Sequence, residues 1–147
     1  MKKDNSFVFD TNVLVSAMLF PESVPALALK KAFGIGTVVV SEECMEELSR
    51  VITDEKFEKY SSFSKRQMFL LDFEDAASFV QVKHKIAACR DTKDDKYLSL
   101  AVSANAKFII TGDNDLLILN PFKNISIITP FHHHPDNFLN NIPFLNL

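Results

Sequence analysis

Five acidic residues in this sequence stand where apolar runs give way to helical stretches, and from four such positions they suit an all-oxygen cation site. Asp10 directly follows Phe7-Val8-Phe9, and Asp113 comes shortly after Lys107-Phe108-Ile109-Ile110, past Thr111-Gly112. Glu47 falls on the helical stretch after Thr37-Val38-Val39-Val40. At about 100° per residue it lies nearer the stripe of Cys44, Met45, Leu48, Val51 and Ile52 than do Glu42, Glu43 or Glu46. Asp94 and Asp95 open a further helical stretch. Converging carboxylates repel one another and are costly to keep ionised unless a cation joins them. Oxygen ligands alone suit Mg²⁺ or Mn²⁺ better than zinc. Each acid also has a purely local use: Asp94, Asp95 and Asp113 suit helix N-caps, and Asp10 suits a turn cap.

The elements that must position these acids alternate between strand and helix. Phe7–Phe9 reads as a wholly apolar strand halted at Asp10, and 37–40 as a second, β-branched one. A helix from about Val24 to Phe33 is expected to end at Gly34 and Gly36, and Ser41 to cap a helix reaching about Thr53. Further helices are expected over about Lys65–Ala77 and Asp94–Ala104, with strands over Phe79–Val82, Lys107–Ile110 and Ile125–Ile128. Apolar strands separated by helices mean a parallel sheet covered on both faces. With right-handed crossovers this gives a three-layer α/β/α domain with a central parallel sheet of about five strands. Ligands of such sheets collect beyond the carboxyl ends of the strands, where all four acidic positions fall.

The chain has 147 residues, 47% apolar and 24% charged, which fits one globular domain over 1–147 and excludes disordered and fibrous classes. Lys and Arg total 16 against 19 Asp and Glu, so the formal net charge is −3. Any affinity for nucleic acid must then come from local cations or bound metal rather than an overall basic field. Cys44 and Cys89 lack zinc-type spacing and read as reduced core thiols. No apolar run approaches the ~18 residues of a membrane span. Asp10 and Asn12 interrupt what could otherwise pass for a signal peptide after Met1-Lys2-Lys3, so a cytoplasmic protein is expected. Three glycines in the whole chain argue against a Gly-rich phosphate cradle.

Four blocks carry a family resemblance: Val8-Phe9-Asp10-Thr11-Asn12-Val13-Leu14-Val15-Ser16, Glu46-Glu47-Leu48, Asp91-Thr92-Lys93-Asp94-Asp95-Lys96-Tyr97-Leu98, and Ile110-Thr111-Gly112-Asp113-Asn114-Asp115-Leu116-Leu117. In this order, from about Ser6 to Leu139, the sequence resembles a PIN domain, and within that family the VapC-like toxins of bacterial type II toxin–antitoxin systems. The resemblance implies a metal-dependent ribonuclease acting on single-stranded RNA. It carries the acidic roles onto Asp10, Glu47, Asp94 and Asp113, with Asn12 and Thr111 as supporting hydrogen-bonding residues. Asp95 is the alternative to Asp94, which is preferred because it shares a helical face with Leu98 and Ala101. Asp115 is either an outer-shell acid or part of the helix start after Asp113. The resemblance also implies a cognate antitoxin protein as partner, although a housekeeping RNA-processing nuclease would use the same residues.

Two carboxylate-held ions would clamp the attacking and leaving oxygens of a phosphodiester, so no Ser-His-Asp or Cys-His set is required. Lys93 and Lys96 flank the acidic helix start and are the candidates for phosphate contact. His132-His133-His134 diverge on any backbone and read as a surface loop rather than a metal site. From about Pro130 the tail is apolar, with Phe131, Phe138, Leu139, Phe144 and Leu145, suited to docking on its own core or on a second copy in a homodimer. A dehalogenase-type phosphatase would need an acid where Asn12 stands, and a receiver domain would need an acidic pair where Phe9-Asp10 stands. A binding module of the same fold, without turnover, is the alternative from another functional class.

Overall fold

The computed structural model describes residues 5–131. Five strands, β1 (Asn5–Phe9), β2 (Gly36–Val40), β3 (Ser78–Phe79), β4 (Phe108–Ile110) and β5 (Ser126–Ile128), form one sheet in the order β3-β2-β1-β4-β5. Every pairing is parallel. The helices are α1 (Thr11–Leu19), α2 (Val24–Ile35), α3 (Glu42–Ile52), α4 (Phe63–Ala76), α5 (Asp95–Ala104) and α6 (Asn114–Leu117). The chain steps from β1 outward to β2 and β3, then returns across the sheet to β4 and β5. Right-handed crossovers therefore put α1–α4 on one face and α5 and α6 on the other, giving the three-layer α/β/α architecture. Phe7, Val8, Val38, Leu48, Ile52, Leu98, Ile109 and Ile127 lie at the centre of the buried core.

Several elements differ from their sequence-based bounds for identifiable reasons. Helix α1 has no counterpart in the sequence reading. It is buried on most sides, through Thr11, Val13, Leu14, Val15, Ala17 and Met18, so it lacks the polar face that reveals a helix by period. Helix α2 runs through Gly34 and stops at Gly36, one turn's fraction later than expected. Gly36 is required by close approach: a Cβ there would lie 2.3 Å from the Asn5 carbonyl oxygen and 2.9 Å from the Phe7 ring. The strand expected over Phe79–Val82 is only Ser78–Phe79, extended by one bond from Val80 N–H to the Val40 carbonyl. Helix α5 begins at Asp95, because Thr92–Asp94 forms a separate 3₁₀ turn capped by Asp91.

No single helix among the described residues is long and apolar enough to cross a membrane, and the apolar pair α1 and α2 meets at 108°. Arg66, fully buried on α4, donates to the carbonyls of Ile52, Asp54 and Ser61 and pairs with Glu58, which ties down the end of α3, the helix that carries Glu47. His132, His133, His134 and the apolar tail beyond Phe131 lie outside the described residues.

Candidate active site

The strand order places β1 beside β4, and this is where the topology switches direction. Register does the rest. Phe9 pairs with Ile110, so the next residues of each strand, Asp10 and Thr111, emerge side by side at the carboxyl edge. Asp10 N–H donates to the Ile110 carbonyl at 3.0 Å, and Thr111 Oγ1 donates to Asp10 Oδ2 at 2.7 Å. Asp10 Oδ1 accepts the Asn12 N–H at 3.2 Å and thereby caps α1. The backbone of Asn12, not its exposed side chain, makes that bond. Burial pushes the Asp10 carboxyl above its usual range and the nearby Asp113 adds to this, while the bonds from Thr111 and Asn12 oppose it.

Asp113 is held against the same edge. Its N–H donates to Thr111 Oγ1 at 3.0 Å, and its Oδ1 accepts the Asp115 N–H at 2.9 Å, capping α6. Asp94 completes the group. It is buried, makes no cap bond for α5, and its Oδ2 has no hydrogen-bond partner. Burial, followed by the adjacent Asp113 carboxylate and the charges of Asp10 and Asp91, pushes the Asp94 carboxyl up to about 7. One carboxylate oxygen each from Asp91, Asp94 and Asp115 lie within 4.8 Å of one another. This trio shares only Asp94 with the four acids expected from the sequence; Asp10, Glu47 and Asp113 fall outside it, although Asp113 and Asp10 are close enough to raise the Asp94 carboxyl.

Glu47 lies outside that trio and has its own set of partners. Its Oε1 accepts the Tyr97 hydroxyl at 2.6 Å and the Thr11 hydroxyl at 2.8 Å, and Lys96 Nζ stands 3.4 Å from its Oε2. Burial alone would push the Glu47 carboxyl up, but Tyr97, Thr11 and Lys96 outweigh it and hold the group below its usual range. The Tyr97 hydroxyl also accepts the Thr11 N–H at 3.1 Å. Tyr97 was absent from the sequence-based candidates. The available signal was a tyrosine on the buried face of α5, since a buried phenol almost always has a polar partner.

The remaining candidates take other places. Asp95, the alternative to Asp94, accepts the N–H groups of Ala88 and Cys89 at 3.0 and 2.8 Å and so fixes the preceding loop. Asp115 pairs with Arg90 through both carboxylate oxygens, at 2.9 and 3.2 Å. Lys93 is exposed, whereas Lys96 is drawn in, donating to the Lys93 carbonyl and lying 5.1 Å over the Tyr97 ring. A cleft of about 300 Å³ opens onto Asp10, Asn12, Val13, Gly112, Asp113 and Phe131. A larger groove of about 540 Å³ runs along Glu42, Glu43, Glu46 and Phe79 and contains none of the candidate acids.

Comparison with known proteins bears on the fold and the family. The PIN domain family profile matches residues 6–115. The uncharacterized protein MJ1680 of Methanocaldococcus jannaschii is 31% identical over 114 residues, covering 76% of this chain and 73% of that protein. The crystal structure of VapBC2 from Rickettsia felis, bound to a DNA fragment from their promoter, superposes with a TM-score of 0.60 at 16% identity, over 84% of this chain and 98% of that one. PAE2754 from Pyrobaculum aerophilum gives 0.57 at 12% identity, over 88% and 93%. Those two structures share the fold, and the match to the family's sequence profile goes further: this chain belongs to the PIN domain family.

Proposed function

We propose that the chain is a metal-dependent endoribonuclease that hydrolyses phosphodiester bonds in single-stranded RNA, with Asp10, Glu47, Asp94 and Asp113 holding one or two Mg²⁺ or Mn²⁺ ions. The observation that carries the reading is Asp94: buried, raised to about 7 and orphaned at Oδ2 beside Asp113, it is costly to keep ionised in the protein alone. When bound, such an ion supplies an activated water and stabilises charge building on the phosphate oxygens. The chain's own residues hold the acids in place. The Thr111 hydroxyl and the Asn12 N–H fix Asp10, the Thr111 hydroxyl also orients Asp113, and Tyr97 and Thr11 fix Glu47. A cleft of about 300 Å³ lies beside Asp10 and Asp113.

The reading extends to a cytoplasmic toxin restrained by a cognate antitoxin protein. It is supported by membership of the PIN domain family and by the fold shared with VapBC2. Cleavage of single-stranded RNA with Mn²⁺, set beside Asp10→Asn, tests the enzyme; a variant that cuts as fast as the parent contradicts the assignment. Growth arrest on expression, relieved by Asp113→Asn, tests the toxin; unhindered growth with abundant protein contradicts it.

A further inference from the structure

We propose that Arg90 is a phosphate-binding residue at the edge of the Asp91, Asp94 and Asp115 cluster, and that Asp115 acts as its anchor. The inference rests on the nuclease reading and identifies how a polyanionic strand is held beside a cluster of carboxylates. Arg90 Nε and Nη2 donate to Asp115 Oδ1 and Oδ2. This side-on pairing fixes the plane of the guanidinium. Nη1 and the second hydrogen of Nη2 have no partner among the described residues, and the side chain is 86% exposed. The structure thus holds a planar fork of donors in a set orientation and turns its unused edge to solvent, the arrangement that recognises phosphate oxygens in pairs.

Both ends of this pair are braced. Asp95 fixes the loop leading to Arg90 through the Ala88 and Cys89 N–H groups, and Asp115 is tied by its own N–H to Asp113 Oδ1. Because a carboxylate oxygen of Asp115 lies within 4.8 Å of one from Asp94, the guanidinium stands at the edge of the acid cluster. Of the two lysines beside the acidic helix start, Lys96 is committed to Glu47 with its side chain only 9% exposed, whereas Lys93 is exposed and shares the rim with Arg90. With a net charge of −3 the chain offers no broad positive field, so a strand entering this cleft depends on cations placed beside it.

The test is steady-state cleavage of single-stranded RNA by the parent, Arg90→Ala and Arg90→Lys over a range of salt and Mn²⁺ concentrations. Arg90→Ala is expected to raise KM about tenfold with little change in kcat, and to lower the slope of log kcat/KM against log salt by about one. Arg90→Lys should recover the salt slope but only part of KM, because a point charge replaces the fork. The Mn²⁺ concentration for half-maximal rate should stay the same. An unchanged KM and salt slope in Arg90→Ala overturns the proposal, as does a shift confined to the Mn²⁺ dependence, which would make Asp115 and Arg90 part of the cation site. If the parent binds RNA without cutting it, the nuclease reading alone fails, and the same slope difference is read from anisotropy. If the parent neither cuts nor binds RNA, both readings fall.

Discussion

The two halves of the acid cleft treat negative charge in opposite ways. On the α3 side, Glu47 receives two hydroxyl donors and a lysine ammonium, so its charge is compensated by the protein itself. On the α5 and β4 side, Asp94 has burial without a donor and further carboxylates as neighbours. Carboxylates brought together in this way are destabilising unless something outside the chain neutralises them. On the proposed reading, the difference puts the demand for a cation on the Asp94–Asp113 side and leaves Glu47 as an acid already compensated by its neighbours.

The largest expected effect breaks the uncompensated half. Asp113→Asn should lower metal-dependent RNA cleavage by about a thousandfold, since a bound ion contributes several kcal/mol to the transition state, while thermal unfolding shows the variant at least as stable as the metal-free parent. A second effect concerns pH. In chelator-treated protein, the folded chain raises the Asp94 carboxyl from its ordinary 3.8 to about 7, so the folded form binds the extra proton. Stability should therefore fall as pH rises from about 4 to about 7, and Asp94→Asn should flatten that fall in urea titrations. Next, Mn²⁺ at a hundred times its Kd should add about 2.7 kcal/mol of stability to the parent, and far less to Asp94→Asn.

Smaller effects sharpen the contrast from the other half. Tyr97→Phe removes the hydroxyl shared by Glu47 and the Thr11 N–H, and should cost about 1–3 kcal/mol in denaturant unfolding, because buried polar groups lose their partner. Lys96→Met should cost less, about 0.5–1 kcal/mol by the same measurement, because Glu47 keeps both hydroxyl donors.

What the sequence made legible follows from local physics. Asp10 was readable because an apolar parallel strand must end at a polar residue on the carboxyl edge, and Asp113 for the same reason after β4. The Asp10–Thr111 bond then follows from register, although the resemblance alone had pointed to Thr111. Helix α1 escaped because a helix buried on most sides carries no period. The Arg90–Asp115 pair and the Tyr97–Glu47 bond escaped because they join residues 25 and 50 positions apart through tertiary packing that no local pattern encodes. Asp94 and Asp95 were adjacent alternatives in sequence. The break between the 3₁₀ turn and α5 separates them, turning one toward Asp91 and Asp115 and the other onto the loop of Ala88 and Cys89.

The most direct test of the cation-binding half is to measure free Mn²⁺ by electron paramagnetic resonance as it is titrated into the parent, Asp94→Asn and Lys96→Met. The account predicts tight uptake by the parent and by Lys96→Met, with affinity at least about tenfold weaker in Asp94→Asn, in line with losses typical of disturbed metal sites. Equal uptake by the parent and Asp94→Asn would contradict it.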